Sequence, residues 1–215
     1  MTTLKLGNEN SYCRDERPRY ATTMTGKVRI ISGLWRGRKI EVLDQPGLRP
    51  SGDRSRETLF NWLGPSIQGK RCLDLFAGTG ALGLEAVSRG ADSAVLIEQS
   101  RLAARHIRQQ ILEWQHSDRV EVINADGLAW LSGQSTQFDL VFIDPPHGMG
   151  LQIKALRKLV DCQALSAESR VCLEAGLNEN WIADQEKWLE SNFRPVRSAS
   201  FGQVVVSVFE LARYN

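Results

Sequence analysis

No stretch of this chain approaches the roughly 18 consecutive apolar residues that a bilayer crossing requires. The opening MTTLKLGNENSYCRDERPRY is polar and lacks the apolar core of a secretory signal. A cytosolic (cytoplasmic) protein without membrane partners is expected. Cysteine is sparse, and Cys13, Cys72, Cys162 and Cys172 form no C-x-x-C pair. Three of them lie in or near apolar stretches, which favours reduced thiols over a disulfide framework. Histidine is scarcer still. His106, His116 and His147 show no metal-ligand spacing, so no metal site is expected. Internal repeats and low-complexity tracts are absent.

What remains is ordinary globular material: 215 residues, 42% hydrophobic and 24% charged, enough for one cored domain with a modest appendage. The net charge is only +2, but residues 1–60 hold 12 Lys+Arg against 7 Asp+Glu, and the rest of the chain is mildly acidic. A basic front on an acidic body suits a polyanion-binding surface, and equally a solvated charged tail.

Residues 1–24 have mixed charge and no periodicity, and are expected to be disordered. Residues 25–50 read as a basic β-hairpin, with strand-like Val28–Ile31 and Lys39–Leu43 about a glycine-containing turn. A helix follows, with Asp53 as candidate N-cap, Leu59, Phe60 and Leu63 as its apolar face, and Gly64-Pro65 as its stop. From Arg71, short apolar runs at Cys72–Phe76, Ala94–Ile97, Val120–Ile123, Leu140–Ile143 and Val171–Leu173 alternate with helical segments. The clearest helix is Arg101–Trp114, with Leu102, Ile107, Ile111 and Trp114 at helical spacing. Phe193–Phe201 and Val204–Leu211, about Gly202-Gln203, form a C-terminal hairpin. The expected fold is α/β and Rossmann-like. It has a mostly parallel sheet of about seven strands closed by that antiparallel hairpin.

Two constellations carry chemistry. In the first, Leu73-Asp74-Leu75-Phe76-Ala77-Gly78-Thr79-Gly80 runs from strand into glycine loop and helix start, where backbone and free N–H groups approach a ligand. Glu98 ends the next strand, where a carboxylate suits the two hydroxyls of a ribose. Asp126-Gly127 follows a third strand, and Asp126 is placed to accept from an adenine amine. Gly78, Gly80 and Gly83 also satisfy G-x-G-x-x-G, so a nicotinamide dinucleotide competes. Asp74, inside the first strand where it meets an amino group in the loop, speaks against that rival.

The second constellation, Asp144-Pro145-Pro146-His147, closes the run Phe138–Ile143. An exocyclic amine on a base is a poor nucleophile, because its lone pair is delocalised into the ring. A carboxylate and a rigid backbone carbonyl that accept its hydrogens draw the nitrogen toward tetrahedral geometry. Asp144 and the Pro145 carbonyl suit that task, prolines fix the backbone, and the ring next in sequence stacks on the base. These residues fit methylation of an amine.

In this order the elements resemble the class I S-adenosylmethionine-dependent methyltransferases. With RIISGLWRGRKI and LRPSGDRSRETLFNWL they resemble the bacterial 16S ribosomal RNA guanine-N2 methyltransferase family, RsmD, from about Val28 to the C-terminus. The resemblance implies that residues 51–215 form the methyltransferase domain, acting on guanine N2 of 16S rRNA in a small-subunit particle. It implies that Asp74, Phe76, Gly78, Thr79 and Gly80 hold the methionine end of S-adenosylmethionine. Glu98 would bind the ribose, Gln99 would lie against the adenine, and Asp126 with Gly127 would contact its edge. Two departures stand out: His147 replaces the usual Phe or Tyr, and Ser51 replaces Thr. For the basic front, Arg29, Trp35, Arg36, Arg38, Lys39, Arg49, Arg54 and Arg56 interleave cations with an aromatic, a pattern suited to phosphates and a splayed base. Alternatives are a DNA adenine-N6 methylase, for which the chain lacks a recognition domain, and a non-catalytic RNA-binding module. A monomer is expected.

Overall fold

The computed structural model describes residues 24–43, 52–180, 182 and 185–212. The extension over 1–24 thus lies outside the described residues except for Met24, and so does Arg49. A two-stranded antiparallel ribbon comes first, β1 (Met24–Arg29) with β2 (Lys39–Leu43), so the first strand begins earlier than the apolar pattern predicts. Helix α1 spans Asp53–Leu63, with Gly52 rather than Asp53 at its N-cap. Leu59, Phe60 and Leu63 are buried as expected.

The body then alternates β3 (Arg71–Asp74), α2 (Ala81–Ser88), β4 (Ser93–Glu98), α3 (Arg101–Ile111), β5 (Val120–Asn124), α4 (Gly127–Leu131), β6 (Phe138–Ile143), α5 (Leu151–Asp161) and β7 (Leu165–Gly176). After α6 (Glu186–Asn192), β8 (Phe193–Phe201) and β9 (Val204–Leu211) form the closing hairpin on the expected residues. The sheet order is β5-β4-β3-β6-β7-β9-β8, parallel from β5 through β7 and antiparallel thereafter. Strand alternation splits the core in two. Cys72, Phe142, Cys172 and Val206 pack on one face, and Leu73, Val141, Ile143 and Leu173 on the other. The order reverses between β3 and β6, and a crevice opens there at the carboxyl ends.

One detail of α3 departs from the sequence pattern. Its buried stripe is Ala103, Ala104, Ile107 and Ile111, while Leu102 is 43% exposed. Ser100 caps the helix by accepting from the Ala103 amide at 3.3 Å, and Leu102, about 140° around the helix from Ile107, falls outside the stripe. The helix stops at Ile111, and Trp114 is buried from the turn that follows.

The ribbon does not project as a free arm. Its turn is fastened to the last turn of α2 through Glu85, whose side chain is fully buried. The Glu85 carboxylate accepts from Ile31 N at 2.7 Å, Ser32 N at 3.0 Å and Arg89 Nε at 2.6 Å. Ser88 adds to the junction: its hydroxyl accepts from Trp35 N at 2.9 Å and its carbonyl from Leu34 N at 2.7 Å. Gly33 makes this approach possible. At φ +84 it lies so close that a Cβ would stand 1.7 Å from the Ser88 carbonyl oxygen. Removing Glu85 leaves two buried amides and a cation without their acceptor. Glu85→Ala is expected to lower stability by about 3–5 kcal/mol, measured by denaturant unfolding. A loss below about 1 kcal/mol, the size of a surface change, would show that the ribbon is held by packing alone.

Candidate functional site

A cavity of about 1040 Å³ opens where the strand order reverses, lined by residues that follow β3, β4, β5, β6 and β7. The glycine loop contributes Phe76, Ala77, Gly78 and Thr79, with Ala81 and Leu82 from the start of α2. Gly78 and Gly80 have φ of +55 and +78, the left-handed region that lets the loop turn sharply into the helix. Gln99 lies at the rim, and Gly127 sits so near β3 that a Cβ would meet the Leu75 carbonyl oxygen at 2.6 Å.

Glu98 is tied into the loop by both oxygens, which accept from Gly78 N at 2.8 Å and Ser100 N at 2.7 Å. Burial raises its pKa, and those two hydrogen bonds work against the rise. Asp126 lines the cavity while one of its oxygens caps α4 through the Ala129 amide at 2.8 Å. Asp144, Pro145, Pro146 and His147 face the same cavity across from the glycine loop. His147 Nδ1 lies 3.4 Å from Glu179, which also accepts from Gly148 N at 2.5 Å and Gln152 Nε2 at 2.9 Å. Glu179 thereby holds the loop after β6 to the end of β7. Burial alone would raise its pKa, but these contacts and the nearby His147 bring it below the usual range.

Several expected site residues stand elsewhere. Asp74 and Gly80 are buried behind the loop and do not line the cavity. Asp74 accepts from Gly83 N at 3.0 Å, so the amino group it meets is the backbone of α2. Trp35 is 1% exposed: it stacks edge-on against Trp114 at 5.2 Å and donates to the Gln115 carbonyl at 2.8 Å, so it is unavailable to a base. Arg56 is also 1% exposed. It donates to the Arg29 carbonyl at 2.8 Å and pairs with Asp53 at 2.7 Å, which removes it from any phosphate-binding surface. Arg29, Arg36, Arg38, Lys39 and Arg54 are exposed, with Arg38 over the Trp114 ring at 5.1 Å. The basic turn is fastened at Ser88, the far end of α2 from the glycine loop. A helix of eight residues separates the two by roughly 12 Å.

Sequence reasoning passed over Glu174, Leu177, Asn178, Glu179, Gln203 and Met149, all of which line the cavity. For Glu174 a signal was present. It ends the apolar run Val171–Leu173 as Glu98 ends its own strand.

Comparison with known proteins places the chain. The family model described as "Conserved hypothetical protein 95" matches residues 28–210. The chain is 41% identical over 170 residues to "Ribosomal RNA small subunit methyltransferase D" of Escherichia coli K12, covering 76% of this chain and 85% of that protein. With the protein of the same name from Haemophilus influenzae it shares 42% over 171 residues, covering 75% and 89%. The solved structure of Escherichia coli yhhF superposes with a TM-score of 0.75 at 38% identity, covering 86% of this chain and 98% of that one. Fold and site together are those of a methyltransferase. Within that class the chain belongs to the family of ribosomal RNA small subunit methyltransferase D.

Asp74 gives this arrangement a pH signature. Burial, with the nearby Asp144 and Glu98 charges, raises its pKa to about 7 against the pull of the Gly83 amide. The folded carboxyl keeps its proton up to about pH 7, whereas the unfolded one releases it near about pH 3.9. Its contribution to stability is therefore complete below about pH 3.9 and is lost as pH rises through about 7. Asp74→Asn stays neutral and keeps an acceptor for Gly83, so denaturant unfolding from pH 4 to 8 should fall less steeply in the variant. Parallel profiles would show that Asp74 is ionised throughout.

Proposed function

We propose that this enzyme transfers a methyl group from S-adenosylmethionine to the exocyclic N2 of a guanine in 16S ribosomal RNA, acting as a cytoplasmic monomer on a small-subunit particle. The observation that carries this reading is one cavity into which both the glycine loop with Glu98 and the Asp144-Pro145 strand end open. The names of the Escherichia coli and Haemophilus influenzae relatives supply the substrate class.

The lining fits the cofactor. Among the described residues no Lys or Arg faces the cavity, while Glu98, Asp126, Asp144 and Glu179 do. Such a wall disfavours the pyrophosphate of a dinucleotide and favours a cationic ligand. When bound, S-adenosylmethionine supplies an electrophilic methyl group on a sulfonium. Phe76, Gly78 and Thr79 are the loop residues placed to hold its amino-acid end, and Glu98, Gln99, Asp126 and Gly127 its nucleoside. The cavity has volume for a flipped base as well.

The protein's part in the reaction is positioning and electrostatics. Asp144 is half-buried at the end of β6, and Pro145, buried after it, fixes the direction of its carbonyl. Accepting the two amine hydrogens, these groups localise the nitrogen lone pair toward the methyl carbon. His147, exposed at the mouth and steadied by Glu179, offers a ring face to the base. The wider body, residues 51–215, carries this chemistry. The ribbon supplies a phosphate-binding surface through Arg36, Arg38 and Lys39, with Arg29 and, on α1, Arg54 extending it.

Two experiments test the reading. Asp144→Ala should reduce methyl transfer by about 10²–10³-fold, the usual cost of one preorganised polar contact to the reacting group. Calorimetric affinity for S-adenosylmethionine should change little. Turnover near wild type, or loss of N2-methylguanine from ribosomal RNA in neither the deletion nor the variant strain, would refute it. Neutralising Arg36, Arg38 and Lys39 together should flatten the salt dependence of particle binding by about 2–3 in log–log slope. An unchanged slope would place the RNA surface elsewhere.

A further inference from the structure

Beside Asp144 the cavity holds a second carboxyl that the methyl-transfer chemistry above does not use. β6 and β7 are parallel neighbours with Ile143 opposite Leu173, so Asp144 and Glu174, each next in sequence, stand side by side at the carboxyl end of the sheet. Leu173 points into the core on one face of the sheet, so Glu174 faces the other, the face of Cys172 and Phe142. Both carboxyls line the cavity. Resting on the guanine-N2 reading, we propose that Glu174 is the residue that selects guanine. Its carboxylic acid group pairs with the ring N1–H and O6 while Asp144 and the Pro145 carbonyl take the exocyclic amine.

The chemistry of the base edge supports this assignment. Guanine presents, in order, the acceptor O6, the donor N1–H and the amine N2. A neutral carboxylic acid carries one acceptor and one donor on adjacent oxygens and closes a two-bond ring with the lactam N1–H and O6. The amine is then left to the neighbouring Asp144. Adenine presents an acceptor at N1 and carries its amine at the other end of that edge, so the same pair of carboxyls mismatches it.

The surroundings keep Glu174 in its acid form. Burial, and then the Asp144 charge, raise its pKa to about 8. Charge from the other elements has the same sign. Asp74 lies one strand beyond Asp144 on β3, Glu98 and Asp126 line the far wall, and Glu179 lies further along the β7 end with His147 at 3.4 Å. β9 places Val206 opposite Glu174, and the lining from that side is Gln203 and Val204. From α1 only Gly52, its N-cap, reaches the cavity, because Asp53 is turned to Arg56. The sulfonium and ammonium of a bound S-adenosylmethionine would oppose these charges, and the lactam pairing offsets them by holding the proton between Glu174 and O6.

The experiment compares wild type, Glu174→Gln and Glu174→Ala on reconstituted small-subunit particles carrying either guanine or 2-aminopurine at the methylated position. 2-Aminopurine keeps the amine but lacks O6 and N1–H. Wild type should favour guanine by about 10- to 100-fold, the value of a pair of specific hydrogen bonds. Gln, whose amide also joins an acceptor to a donor, should keep that preference. Ala should bring the two substrates within about threefold, with S-adenosylmethionine affinity by calorimetry unchanged. Single-turnover rates on guanine should fall for wild type as pH rises above about 8 and stay level for Gln. Undiminished discrimination by Ala, or the same alkaline fall in Gln as in wild type, would overturn the proposal. Wild type methylating neither base would instead refute the guanine-N2 reading on which it rests.

Discussion

The Glu85 carboxylate is the constraint on which the relation between ribbon and body depends. A carboxylate with no solvent contact is tolerable only when its lone pairs are filled, and here two ribbon amides and Arg89 fill them. The guanidinium of Arg89 in turn lies over Phe60 at 4.9 Å, on α1. One buried charge therefore ties the ribbon, α2 and α1 to a common geometry. It sits on the helix whose first turn faces the cofactor cavity, so the ribbon cannot shift without straining the glycine loop. Gly33 shows how tight the junction is, since no side chain fits between the ribbon and Ser88.

The same economy of charge shapes the other end of the sheet. β3, β6 and β7 are neighbours, and each carries a carboxyl at or near its end: Asp74, Asp144 and Glu174. Repulsion among them raises the pKa values of Asp74 and Glu174 in addition to the effect of burial. Nothing in the fold alone requires such a row. It is costly in an apo protein, and on the proposed reading it becomes favourable when a sulfonium and the donors of a guanine edge enter, so that the row acts as electrostatic preorganisation.

The fold was legible because the body's strands are continuous apolar runs that end in turn residues or carboxylates. A two-faced parallel sheet demands that pattern. Glu98, Asp126 and Asp144 were legible for the same reason, standing where apolar runs stop. Arg56 was misplaced because nothing in the spacing of α1 shows that its guanidinium folds back onto the Arg29 carbonyl. Trp35 was misplaced because a turn rich in Arg and Gly looks alike whether its side chains face solvent or a neighbouring helix. Only the docking on α2 and on the turn after α3 decides, and that contact spans 53 residues or more of sequence. Asp74 was misplaced for a subtler reason. The final residue of a strand can point along the loop or beneath it, and the register with Phe142 turns it beneath. Leu102 was misread because it stands about 140° around the helix from Ile107, while the two small residues Ala103 and Ala104, which carry little apolar signal, complete the buried stripe.

The position of the basic turn bears on what substrate the enzyme can hold. Arg36 and Arg38 lie at the end of α2 remote from the glycine loop, roughly 12 Å of helix away. On the proposed reading, a single nucleotide in the cavity cannot reach them, so phosphate contacts at the turn would belong to a different stretch of the polynucleotide from the one that surrenders its base. A short single strand gains little from so distant a foothold. A folded RNA or a ribonucleoprotein particle, rigid over that distance, would engage both at once, and binding at the turn would then raise the effective concentration of the target base at Asp144. On the proposed reading, specificity for a position comes from matching the spacing of the two sites to the shape of a large substrate, while specificity for a base stays within the cavity.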